Sequence, residues 1–115
     1  MSYELAAKAI NQFDLDWDIE DLANTLRKLG NGWVDHSNRN DVCPVYLNSK
    51  LQQKLWIDFK SPAKRDCSNS KLYALEKVDA SGESLMRPML YEGDKFDTVL
   101  DASAEDAVIT KVVAS

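Results

Sequence analysis

The residues best suited to nucleophilic chemistry are His36 and Cys43. The chain holds one histidine, and Cys43 follows it by seven residues. A Cys–His pair requires a base that draws the proton from the thiol, and Asp35 or Asp41 could orient the imidazole. No known nucleophile motif surrounds the cysteine, which stands at the start of a predicted strand. We therefore predict that Cys43 is buried and inert.

Zinc-ligand residue types are present without the spacing of a zinc site. A structural site takes four Cys or His ligands, often in close pairs. Cys43, Cys67 and His36 form no such pairs. With no visible secretion signal at the N-terminus, we expect a cytoplasmic protein whose two thiols stay reduced. A bridge between them would require an oxidising compartment.

Five acidic residues lie within eight positions of the chain: Asp14, Asp16, Asp18, Glu20 and Asp21. The first three match the beginning of a calcium-binding loop, but the glycine of the sixth position and the glutamate of the twelfth are missing. Two interpretations stay open. The acids belong to an interhelical linker and a helix N-terminus, where the dipole stabilises them, or they contact a basic partner. We predict no metal and no cofactor, and we keep all five as candidate partner-binding residues.

Residues 60–65 form the densest basic run, either as a solvated loop or as a phosphate contact. The whole chain has 14 basic and 19 acidic residues, a net charge of −5. Residues 38–77 carry a net +4 between flanks of −4 and −5. Nucleic-acid binders usually have a basic surplus, and neither glycine-rich phosphate motif occurs. We do not expect direct nucleic-acid binding.

Large apolar side chains occur at predicted surface positions. Trp56 lies opposite the apolar face of the strand at 54–59, and it is exposed if helices cover that face. Met86, Met89 and Tyr91 add an adaptable apolar patch on a predicted edge strand. Such an edge recruits a partner strand or a second copy of the chain. These four residues complete the candidate partner-binding set.

Two N-terminal helices must position these groups. Residues 2–13 repeat apolar side chains at helical spacing. Residues 18–29 have every helix signal: Asp18 as N-cap, Trp17 and Leu22 as a hydrophobic staple, and Gly30 as the left-handed residue after the last turn.

After Gly30 the apolar periodicity changes from 3.6 to 2 residues, which predicts strands. We expect them at 33–36, 44–47, 54–59, 71–78, 85–91 and 96–100, with a turn at 92–94. Pro88 removes a ladder donor, so residues 85–91 should form an edge strand. In 103–113, Ser103 and Asp106 favour a capped helix, whereas the β-branched residues favour a strand. We predict a strand there.

The predicted fold class is α+β, with two N-terminal helices packed on an antiparallel sheet of about four to six strands. Its 115 residues fit one domain, residues 1–115. A composition of 44% hydrophobic and 29% charged residues is that of a globular protein. No stretch approaches the roughly 20 apolar residues of a membrane-spanning helix, so we expect no membrane association.

The expected function is a small, acidic, non-enzymatic protein-interaction module that docks on a basic partner surface. Inhibitors, immunity proteins and counter-defence proteins of mobile elements are regulators of this kind. The alternative is a small-molecule-binding domain with an apolar pocket between helices and sheet, walled by Trp33, Tyr46, Trp56 and Tyr73. A small enzyme that uses carboxylates or His36 is the third possibility.

Overall fold

A computed structural model describes residues 2–67 and 69–114. Its elements are α1 (Ser2–Phe13), α2 (Ile19–Leu29), β1 (Val34–Asp35), β2 (Val45–Asn48), β3 (Gln53–Ile57), a short 3₁₀ helix (Pro62–Lys64), β4 (Tyr73–Lys77), β5 (Tyr91–Gly93) and α3 (Phe96–Ala114). The five strands form one antiparallel sheet in chain order. The predicted α+β class, the two N-terminal helices and the number of strands are confirmed.

The boundaries of α2 follow from its capping residues. The Asp18 carboxylate accepts a hydrogen bond from the backbone N–H of Asp21 at 3.2 Å, which pairs one of the free donors of the first turn. The helix ends at Gly30, whose φ of 83° lies in the region that favours glycine. The predicted N-cap and C-terminal glycine are both confirmed.

The hairpin of α1 and α2 packs on one face of the sheet, which we call the covered face. Trp17, in the linker between the helices, is buried against it. Its indole N–H donates to the carbonyl oxygen of Asp58 at 2.9 Å, and its ring meets Tyr73 edge-on at 6.3 Å. The strand residues buried on this face are Tyr46, Leu55, Ile57, Tyr73 and Leu75.

The C-terminal third of the prediction is wrong in three places. Residues 85–90 form no strand apart from a bridge between Val78 and Ser84, and β5 begins only at Tyr91. Residues 92–93, predicted as a turn, belong to β5. Residues 96–100 and 103–113, both predicted as strands, are parts of α3.

Helix α3 forms because its polar residues, as well as its apolar ones, face the sheet. Val99 is fully buried, and Ser103 and Asp106 continue the same helical stripe. Gln53 of β3, which is itself fully buried, donates to the Ser103 carbonyl at 3.0 Å and to the Asp106 carboxylate at 2.9 Å. Lys77 donates to the same carboxylate at 2.8 Å. These tertiary bonds override the β-branched character of the segment.

Within residues 2–67 and 69–114, every helix falls short of the length or the hydropathy needed to cross a membrane.

Candidate functional site

The sheet face opposite the two N-terminal helices, which we call the open face, carries a pocket. The strand register pairs Trp56 with Ala74 and Ala74 with Glu92, so the three side chains form one row across β3, β4 and β5. The small Ala74 side chain between two large neighbours leaves a hollow. This open-face pocket has a volume of about 260 Å³.

The remaining walls come from the ends of the strands. Cys43 precedes β2 and Asp58 follows β3, and because these strands are antiparallel both residues lie at the same end of the sheet. The N–H of Asp58 donates to the Leu72 carbonyl at 2.8 Å, which extends the pairing beyond β4. The rest of the wall consists of Ser70, Lys71 and Met89.

Trp56 presents a half-buried aromatic ring to this pocket. The ammonium group of Lys54, two residues earlier on the same face, lies 5.5 Å from the ring centroid. This distance is within the range of a cation–π contact. The indole therefore already interacts with a positive charge on the open face.

The acidic members of the pocket are Asp58 and Glu92. Burial raises the pKa of Asp58, and the nearby carboxylates of Asp66 and Asp16 raise it further against the opposing charge of Arg65. Among the described residues, neither pocket carboxylate has an ion-pair partner within 4.0 Å. With Lys71 as its single basic member, the lining carries one net negative charge.

Cys43 is buried, as predicted. Burial raises the pKa of its thiol to about 12, and the charges of Asp58 and Asp41 add to the shift. A nucleophilic cysteine requires the opposite shift, toward a thiolate at neutral pH. Both Cys43 and Cys67 are free thiols.

The four predicted apolar contact residues separate into two groups. Trp56 and Met89 line the open-face pocket. Met86, in the loop before Met89, is 90% exposed and has a left-handed φ of 56°. Tyr91 lies on the covered face, where it packs against the core and its hydroxyl accepts the N–H of Lys95 at 3.1 Å.

Two of the five acidic candidates support the fold locally. Asp18 caps α2, and the Asp16 carboxylate accepts the backbone N–H groups of Lys60 at 2.6 Å and Ser61 at 2.8 Å. Partial burial opposes the charged form of Asp16, but these two hydrogen bonds outweigh it and lower the pKa. The other three, Asp14, Glu20 and Asp21, are exposed.

The basic run at 60–65 is largely engaged within the protein. The Arg65 guanidinium donates to the carbonyls of Phe59 at 2.8 Å and Ser70 at 2.7 Å. The Lys60 ammonium lies 4.1 Å from the centroid of the Trp17 ring. These contacts hold the loop against the sheet, which leaves Lys64 as its exposed free cation among the described residues.

Across residues 2–67 and 69–114, no three His, Cys, Asp or Glu side chains are grouped so that they could hold a metal ion. No family model, curated protein or solved structure matches this chain.

Sequence analysis did not single out most of the residues that line the pocket. The alternation of β3 does place Trp56 and Asp58 on one face, and this signal was available. The contributions of Ala74 and Glu92 depend on the strand register, and Lys71 was included in a predicted strand without a role.

Proposed function

We propose that this protein is a non-enzymatic protein-interaction module. In this proposal it binds a partner with a basic surface, and a partner arginine enters the open-face pocket. The observation that carries the proposal is the convergence of Trp56, Asp58 and Glu92 on one pocket. An aromatic ring beside two carboxylates is a favourable environment for a cationic side chain.

The energetics favour arginine in particular. Its planar guanidinium stacks on aromatic rings and binds carboxylates through two parallel hydrogen bonds. A cation–π contact contributes about 0.5–2 kcal/mol, depending on how far it is desolvated. Asp58 and Glu92 have no ion-pair partner among the described residues, so an incoming cation does not have to displace one. Lys71 opposes the partner's charge from the exposed side of the wall.

Two methionines supply apolar contact area around this charged centre. Met89 forms part of the wall, and Met86 is almost fully exposed in the preceding loop. Flexible, polarizable methionines adapt to irregular partner surfaces. A central anchor surrounded by apolar contacts that exclude water is the arrangement found at binding hot spots.

For the biological role we propose an inhibitor, immunity or counter-defence regulator. An acidic protein that covers a basic groove on its partner prevents other anions from occupying that groove. The net charge of −5 supports this role through faster, charge-steered association.

The proposal is tested by comparing two alanine-to-leucine substitutions. Ala74→Leu fills the pocket, and its half-buried strand position accepts a larger apolar side chain. Ala104→Leu makes the same change at an exposed position of α3. Circular dichroism establishes that both variants fold. Tagged proteins then capture partners from a lysate of the source organism, at low and at moderate salt.

We expect one stoichiometric protein to be retained by the wild type and by Ala104→Leu, and to be lost with Ala74→Leu. Its retention should fall as salt rises, because the contact is charged. Retention of the same proteins by all three forms would contradict the proposed site, as would retention that does not respond to salt.

A further inference from the structure

A second pocket lies between the helices and the sheet, and it is separate from the proposed docking site. Leu5 of α1, Leu26 and Leu29 of α2, Trp33 and Tyr46 of β2 contribute to its lining. Its volume is about 140 Å³. None of the described residues that line this helix–sheet pocket carries a charged side chain, so an ion is not its natural ligand.

Tyr46 gives this pocket one polar group without a partner. Its side chain is 2% exposed, and its hydroxyl has no hydrogen-bond partner among the described residues. Burial raises the pKa of Tyr46, with a further contribution from the charge of Asp35, so the hydroxyl stays neutral and remains a donor. Buried hydroxyl groups almost always have a partner, because leaving one unpaired is costly.

We propose that the helix–sheet pocket binds an uncharged, single-ring aromatic ligand with one hydroxyl group, of the phenol class. The size fits, since an apolar cavity of about 150 Å³ in another protein binds benzene. Leucine side chains and the Trp33 ring provide the apolar walls. The Tyr46 hydroxyl and the ligand hydroxyl then pair with each other, which satisfies both groups. This proposal does not depend on the docking function.

The test compares phenol with toluene, which has a similar size and lacks the hydroxyl. Each compound is titrated into ¹⁵N-labelled protein, and chemical shifts are followed for residues of the pocket and for the Trp56 indole. We expect saturable shifts at Leu26, Leu29 and Trp33, with phenol bound about three- to tenfold more tightly than toluene. The Trp56 indole should not respond.

Tyr46→Phe removes the hydroxyl and keeps the ring. In this variant phenol should lose its advantage, while toluene binds at least as well as it does to the wild type. Leu5→Trp, which fills the pocket from α1, should abolish the binding of both ligands.

Three results would overturn the proposal. The first is that neither compound causes saturable shifts at the pocket at concentrations up to about 10 mM, where an affinity of about 1 mM is readily detected. The second is that phenol keeps its advantage in Tyr46→Phe. The third is that the shifts centre on Trp56, which would place binding on the open face.

Discussion

Trp56 and Asp58 project from the same face of the sheet, two residues apart at the end of β3, and both line the open-face pocket. Their spacing follows from the two-residue alternation of a strand. Between Trp56 and Glu92 stands Ala74, whose small side chain creates the hollow. A pocket that combines an indole ring with carboxylates is therefore a direct product of strand register.

Asp58→Asn should make the protein more stable at neutral pH and weaken its binding of the partner. Burial disfavours the charged carboxylate, and the amide removes that charge while keeping the oxygen that accepts the Phe59 N–H at 2.8 Å. Urea unfolding and partner titration measure the two effects. Asp101→Asn on exposed α3 is the control, with no expected change in either quantity.

The same substitution gives a pH dependence of defined sign. The pKa of Asp58 is raised in the folded protein, so folding favours the protonated form. As pH falls through the raised pKa toward the unfolded value of about 3.9, the wild type gains stability relative to Asp58→Asn. Below that value the difference becomes constant. A difference that widens as pH falls would contradict this account of Asp58.

Lys71→Gln and Glu92→Gln should change partner affinity in opposite directions. Both residues line the pocket, where Lys71 repels an incoming cation and Glu92 attracts it. We expect affinity to rise about two- to fivefold with Lys71→Gln and to fall by a similar factor with Glu92→Gln, as for exposed charge pairs. High salt should reduce both effects. Changes of the same sign would show that the partner's charge is not read at this pocket.

Met86→Gly should lower partner affinity without loss of stability. Met86 has a φ of 56°, a conformation that costs a residue with a Cβ about 1–2 kcal/mol and costs glycine little. Its side chain is 90% exposed, so little packing is lost. Thermal unfolding and partner titration provide the measurements. Unchanged affinity would exclude Met86 from the contact surface.

Ser103→Ala should destabilise the fold by about 1–3 kcal/mol, because it leaves the buried amide oxygen of Gln53 without its donor. Ala104→Ser, at the adjacent exposed position, should change stability by less than about 0.5 kcal/mol. Combining Ser103→Ala with Gln53→Met should recover part of the loss, since both polar partners are then removed. Equal effects of the two single substitutions would contradict the proposed anchoring of α3.

How well the sequence predicts each element depends on where its determinants lie. The boundaries of α2 are set by Asp18 and Gly30, which are local, and both were predicted. Helix α3 was missed because Ser103 and Asp106 interrupt its apolar stripe, and their buried partners, Gln53 and Lys77, lie far away in the chain.

The candidate site was predictable only in part. Trp56 was singled out correctly as a residue opposite the helix-covered face, with Lys54 beside it. Glu92 was assigned to a turn, because β5 was expected to end before it. The pairing of Ala74 with Glu92 is a property of the strand register, which a single sequence does not reveal.

The most direct test of the central claim is an NMR titration of Trp56 with a short arginine peptide. The chain has three tryptophans, and the Trp56 indole N–H signal is assigned by its loss in Trp56→Phe. N-acetyl-Gly-Arg-Gly-amide is compared with the same peptide carrying citrulline, which is similar in shape and uncharged. One isolated arginine should bind with a dissociation constant on the order of 1 mM or weaker.

The account predicts that the arginine peptide shifts the Trp56 indole signal, that the citrulline peptide does not, and that Ala74→Leu abolishes the shift. The indole signals of Trp17 and Trp33 should stay in place. A Trp56 signal that does not move, or that moves equally with citrulline, would contradict the claim that the open-face pocket receives a cationic side chain.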